Sequence, residues 1–186
     1  MAFGGGEVST SSRLVAGIDA LNRTIGASVA WLTLGMVLFT FAIVVLRYAF
    51  DVGPIWMQES VTWMHAAVFM LGGAYALQRD EHVRVDIFYR GMTPAGRAGI
   101  DIAGVLLFLF PLCAFIFYES FDYVAASWSI REGGRDAGGL PYPMIPLLKS
   151  VLLLMPLLVA LQGVSLLLTS LRTLREDRSG APDPGL

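Results

Sequence analysis

Cysteine, histidine and charge are all scarce in this chain of 186 residues. The single cysteine, Cys113, rules out an intrachain disulfide and a cysteine-rich metal site. Charged residues make up only 15% of the chain, against roughly a quarter in soluble domains. Thirteen Lys plus Arg are outnumbered by fifteen Asp plus Glu, so there is no basic surface to offer a nucleic acid, and nucleic-acid binding is excluded. What fills the chain is apolar, with 55% hydrophobic residues. One crossing of a bilayer takes about 20 such residues. Four crossings leave links too short for a water-soluble catalytic domain. The composition is that of an integral membrane protein, and the lipid bilayer is its first partner.

Charges mark where the apolar runs stop, and spans are expected over about 24–46, 57–78, 100–122 and 146–172. The first lies between Arg23 and Arg47. The second passes Glu59, holds His65 and leaves at Arg79. The third begins near Asp101 and continues past Glu119, with that carboxylate at headgroup depth, while the fourth is rich in leucine and lies between Lys149 and Arg172. Helices satisfy their own backbone groups in lipid, and no strand-like alternation points to a barrel. The expected fold is therefore all-α, a bundle of four transmembrane helices. With four spans both termini share a side, and that side carries nine of the thirteen basic residues. The positive-inside rule places both termini in the cytoplasm.

The flanks and links differ in character. Residues 1–10 are expected to be disordered and lack the basic start of a cleaved signal peptide, residues 11–175 to form the membrane domain, and residues 176–186 to be a disordered cytoplasmic tail. Within 11–23, Leu14, Val15, Ile18, Leu21 and then Ile25 share one helical face, with Arg13, Asp19 and Asn22 elsewhere. That pattern predicts an N-terminal amphipathic helix lying in the membrane interface and leading into span one. Asp51, Gly53 and Pro54 predict a tight turn, which makes spans one and two a hairpin. Thr93 before Pro94 reads as an N-cap with proline at the first helical position. Four glycines and three prolines make 131–146 a long irregular outer loop.

Candidate chemistry is thin. His65 and His82 are seventeen residues apart, about 25 Å along one helix, so they cannot clamp one ion or one haem. Cys113 sits among Leu, Ala and Phe as a packing residue, and no serine or cysteine has a base at motif spacing. No catalytic residue, cofactor or metal is expected. His65 reads as a hydrogen-bonding residue across the bundle, and Arg47 with Glu59 as an interfacial ion pair at adjoining helix ends. Gly26 with Ala30, Gly72 with Ala76, and Gly73 are expected to let helix backbones approach closely. Pro111 and Pro156 should bend their spans or loosen local hydrogen bonds. Arg84 and Arg90 are expected to touch anionic lipid headgroups. Because ionisable groups gather at the span ends, the chain reads as a scaffold set against a partner rather than a conduit. Two other readings compete: a haem-bearing membrane anchor of a redox complex, and a stand-alone small homo-oligomeric transporter.

Leu46-Arg47-Tyr48, then Trp56 and Glu59, then the run from Leu71 through Gly72, Gly73, His82 and Asp86, resemble the small membrane subunit of TRAP transporters, the DctQ-like family. The stretch 139–144, Gly-Leu-Pro-Tyr-Pro-Met, adds to the likeness, and the long outer loop before it resembles the branch labelled mannitol/chloroaromatic. The resemblance covers roughly 12–172. It implies a small accessory subunit in the bacterial inner membrane. It also implies a large DctM-like membrane subunit carrying the substrate and sodium sites, and a periplasmic DctP-like solute-binding protein delivering an organic acid. Arg47, Trp56, Glu59, Gly72, Gly73, His82 and Asp86 are carried over as structural and interface positions, none of them catalytic.

Overall fold

The computed structural model describes residues 10–79, 91–134 and 137–180. Every regular element among them is a helix: α1 (Thr10–Phe50), α2 (Ile55–Gln78), α3 (Pro94–Ser129) and α4 (Met144–Ser179). All four are long and apolar enough to cross a membrane. α4 is the centre, because α1, α2 and α3 each pack against it and α1 and α2 also lie along one another. α1 and α4 begin and finish at one end of the bundle, the terminal end, where the Arg172 guanidinium donates to the Ser11 hydroxyl at 2.6 Å. The α1–α2 turn and the α3–α4 link lie at the other, the loop end.

Local chemistry sets the helix boundaries. α1 stops where Asp51 takes a left-handed conformation (φ 55°) and the Val52 N–H returns to the Leu46 carbonyl at 3.0 Å. Asp is among the few residues that enter this region without heavy cost. Pro54 then stands immediately before α2, which gives the expected hairpin. The Thr93 hydroxyl accepts the Gly96 N–H at 3.2 Å with Pro94 in the first turn, as the Thr-Pro pair predicts. α4 stays helical to Ser179, past the expected limit of the membrane domain, and Gly180 (φ 64°) caps it.

Pro111 leaves its mark inside α3. A proline has no N–H to give and its ring presses on the carbonyl four residues back. Just before it, Val105–Leu109 widens into a π-helical turn, and the Phe110 N–H reaches back to the Val105 carbonyl. The widened turn is received by a notch in α4. A Cβ on Gly163 would sit 2.7 Å from the Leu109 side chain and 3.1 Å from Phe110, so glycine lets the two helices close here without displacing either side chain. Pro156 is fully buried, and α4 runs through it as one helix.

The expected amphipathic segment leads into span one, but without a break: 11–23 is the opening of the 41-residue α1 rather than a separate surface helix. Of its polar side, Asp19 and Asn22 are turned toward α4 while Arg13 stays exposed. Asn22 is 1% exposed, whereas Leu14 is 56% and Leu21 45% exposed. Periodicity locates two faces, and in a membrane protein the apolar one can face outward while the polar one meets another helix.

Small residues behave as expected at one site and not at another. A Cβ on Gly26 would fall 2.5 Å from the Tyr75 side chain, so α1 and α2 touch there through glycine. Gly72 and Gly73 do not serve this purpose among the described residues, since a Cβ on either would meet none of their atoms beyond the local helix within 4 Å.

Candidate functional site

Side-chain bonds between elements gather at the two ends. At the terminal end the Asp19 carboxylate on α1 is the hub. One of its oxygens accepts from the Gln162 amide at 3.0 Å and from the Ser165 hydroxyl at 2.8 Å, both on α4. The Gln162 carbonyl accepts from the Asn22 amide at 2.8 Å, and the Gln78 amide at the end of α2 donates to the Asp19 backbone carbonyl at 3.0 Å. Three helices are thus tied at one level. In this layer Asn22, Gln162 and Ser165 are all buried, and the Asn22–Gln162 bond is formed out of reach of solvent. Sequence reasoning placed Asp19 and Asn22 on the side away from the apolar stripe and missed their partners. The available signal was the polar row Gln162, Ser165 and Thr169 inside an otherwise leucine-rich span, at spacing that shares a helix face.

At the loop end the polar groups hold the backbone of the α3–α4 link. The Glu59 carboxylate at the start of α2 accepts the Leu140 N–H, and a Cβ on Gly139 would come within 2.8 Å of its oxygens. The Gly134 N–H in turn donates to the Leu140 carbonyl at 2.9 Å. The Trp63 indole N–H donates to the Met144 carbonyl at 3.1 Å, fixing the first turn of α4 against α2. Beside them Lys149 pairs with Glu132, whose same oxygen takes the Ser127 hydroxyl at 2.7 Å, and the Lys149 ammonium lies 4.1 Å from the centre of the Tyr123 ring.

The motif residues separate into distinct settings. The expected Arg47–Glu59 pair is not formed. Glu59 is taken by the link, while Arg47 lies over the hairpin turn, with its Nη2 3.5 Å from where a Gly53 Cβ would be. The carboxylate satisfies a backbone N–H that a Gly- and Pro-rich link cannot pair by itself. Trp56 packs edge-on against Phe39 across the hairpin, with ring centroids 6.3 Å apart. His65 does not reach across the bundle. It is exposed on α2, stacks on Phe69 with centroids 6.4 Å apart, and makes no hydrogen bond to a described residue. His82, Asp86, Arg84 and Arg90 lie outside the described residues.

Comparison with known proteins agrees with this architecture. A family model described as "Tripartite ATP-independent periplasmic transporters, DctQ component" matches residues 36–173, well over half of the chain. A C4-dicarboxylate TRAP transporter small permease protein DctQ from Vibrio cholerae serotype O1 (strain ATCC 39315 / El Tor Inaba N16961) is 35% identical over 52 residues. That match covers 28% of this chain and 22% of the relative, so the chain spans under a quarter of the relative's length. No solved structure matches. With four helices suited to a bilayer, polar ties at both ends and a family match that takes in parts of all four helices, this multi-pass membrane protein belongs to the DctQ components of the tripartite ATP-independent periplasmic transporters.

Proposed function

We propose that the chain is the small accessory subunit of a TRAP-type secondary transporter in the bacterial inner membrane. In this reading it braces a large DctM-like permease subunit during sodium-coupled uptake of an organic acid, delivered by a DctP-like periplasmic binding protein. Both termini lie in the cytoplasm, as the nine-to-four division of basic residues favours. The chain has a structural part and no catalytic one.

The observation that carries this reading is where the bonds between helices fall. Asp19, Asn22, Gln78, Gln162 and Ser165 close the terminal end, and Glu59, Trp63, Glu132 and Lys149 close the loop end. Between the ends α1 and α2 meet through glycine and larger side chains, Gly26 on Tyr75 and Gly35 on Met64. A charged solute or coupling ion crossing this bundle would need polar groups at mid-depth to replace its water. A bundle tied by polar bonds at both ends and by close helix contacts between them is suited to hold a neighbour still.

Reconstitution separates support from transport. Proteoliposomes holding the large subunit and this chain together, with the binding protein outside and an inward sodium gradient, should accumulate labelled succinate, a C4-dicarboxylate chosen after the relative's name. Vesicles holding this chain alone should accumulate none, and those holding the large subunit alone at most a small fraction. Uptake by this chain alone would reverse the assignment.

A further inference from the structure

The outward surfaces of the spans are not alike. On α1 the exposed side chains are apolar over most of the crossing, among them Trp31, Leu34, Val37, Leu38 and Phe41, and on α3 they include Leu106, Leu107, Phe108, Leu112 and Phe115. Those are surfaces that lipid tails solvate well. α2 departs from this pattern. Its exposed residues Gln58, Thr62, His65 and Phe69 and the half-buried Gly72 and Ala76 follow one another at intervals of four, three, four, three and four. Steps of three and four, about 3.6 residues on average, keep one line of a helix on one face, where it can meet one partner helix. Between Gln58 and Ala76 the line is about 27 Å long, close to the hydrocarbon thickness of a bilayer.

Its chemistry does not suit lipid. His65 lies near the middle of α2 with no hydrogen bond to a described residue, and an imidazole N–H facing hydrocarbon finds no acceptor. Phe69 stands out from the surface at 75% exposure. One turn further on, Gly72 leaves a gap beside that ring, since a Cβ there would meet no other part of the described residues within 4 Å. A projecting ring followed by a hole is the relief that a second helix fills by knobs into holes.

We propose that this seam is the line along which one membrane-spanning helix of the large TRAP subunit docks. The inference rests on the reading under Proposed function and adds the face to it. The occupant carries a hydrogen-bonding group level with His65, a small residue level with Phe69 and a large aliphatic one level with Gly72. A second copy of this chain does not meet that description. Two copies in one membrane share their orientation, so a twofold along the membrane normal sets each seam residue against itself. Phe69 against Phe69 would hold the axes apart, while Gly72 against Gly72, about 4.5 Å further along, would require them to close.

The test is co-purification of the tagged full-length chain with its co-expressed large subunit. The wild type should recover the large subunit. Gly72→Ile adds bulk where a Cβ meets no other part of the described residues, and should cut that recovery by about ten-fold or more, with helix content and thermal transition unchanged. His65→Leu, which suits lipid better than the native residue, should cut it by about three- to ten-fold. Ala114→Ile on the exposed side of α3 should leave it unaltered. Wild-type recovery by a well-folded Gly72→Ile variant overturns the docking line while leaving the accessory role intact. Failure of the wild type to recover the large subunit overturns the accessory role itself, and the docking line with it. If mass spectrometry of the chain expressed alone shows a dimer that Gly72→Ile abolishes, a second copy owns the seam and the proposal is wrong.

Discussion

At the terminal end of the bundle polar side chains on α1 and α4 bond mainly to one another, whereas at the loop end a side chain also holds the backbone of the α3–α4 link, beside the Lys149–Glu132 pair. Asp19, Gln162 and Asn22 illustrate the first kind, and Glu59 holding Leu140 the second. Side chain to side chain, the bonds fix how far α1 has slid along α4, because each donor has one buried acceptor at one height. Side chain to backbone, they fix the shape of a segment that has too few bonds of its own. The terminal end therefore sets register between helices, and the loop end sets the conformation of a connection.

The largest effect should come from breaking the register layer. Gln162→Leu removes two bonds at once and leaves the Asn22 amide, 1% exposed, with no acceptor. A buried donor left unpaired costs about 1–3 kcal/mol, and the loss of both bonds should lower stability by roughly 3 kcal/mol. Thermal unfolding in detergent, followed by circular dichroism, measures it. Adding Asn22→Leu should restore a good part, because two apolar groups then face one another. A single Gln162→Leu variant that unfolds at the wild-type temperature would show that the layer does not set register.

A smaller and more local effect is expected at the loop end. Glu59→Ala removes a charged acceptor from the Leu140 N–H, worth about 2 kcal/mol. The loss should appear as faster amide exchange, roughly thirty-fold, confined to the link around Gly134 to Leu140, while exchange in α1 near Asn22 stays as it was. Glu59→Gln keeps an acceptor without the charge and should fall between. Exchange that rises equally at both ends would mean that the two are one cooperative unit, and the contrast between them would disappear.

How much of this could be read from the chain follows the same division. The four spans, the hairpin turn, the Thr93 cap and the disturbance at Pro111 are all written locally, because a run of apolar residues, a capping hydroxyl or a missing N–H acts on its own neighbourhood. The inward turn of Asp19 and Asn22 is not local. Leu14, Ile18 and Leu21 announce an apolar stripe, but a stripe of that kind suits either a core or a lipid surface, and only Gln162 on α4, 140 residues from Asn22, decides between them. Glu59 was recognisable as a motif residue, yet its partner is a backbone N–H in an irregular link, which leaves no trace in residue type. Gly72 was legible as small and illegible as outward, since smallness does not say which neighbour it admits.

The smallest expected effect tests whether the loop end is held by its bonds or strained by its backbone. α3 finishes in a Schellman arrangement: the Glu132 N–H reaches the Ser127 carbonyl at 3.1 Å and the Arg131 N–H the Trp128 carbonyl at 3.2 Å, with Arg131 at φ 49°. Glycine usually fills that left-handed position, and a side chain with a Cβ pays about 1 kcal/mol to occupy it. Part of any gain on substitution is offset by the greater freedom of glycine in the unfolded chain. Arg131→Gly should therefore stabilise the protein by about 0.5 kcal/mol, raising its thermal transition slightly and slowing exchange at Glu132. Asp51→Gly at φ 55° should gain less, because Asp already tolerates the region. If Arg131→Gly instead lowers the transition, the arginine side chain is itself a tie at the loop end, and the list of bonds that shape the link must be extended to include it.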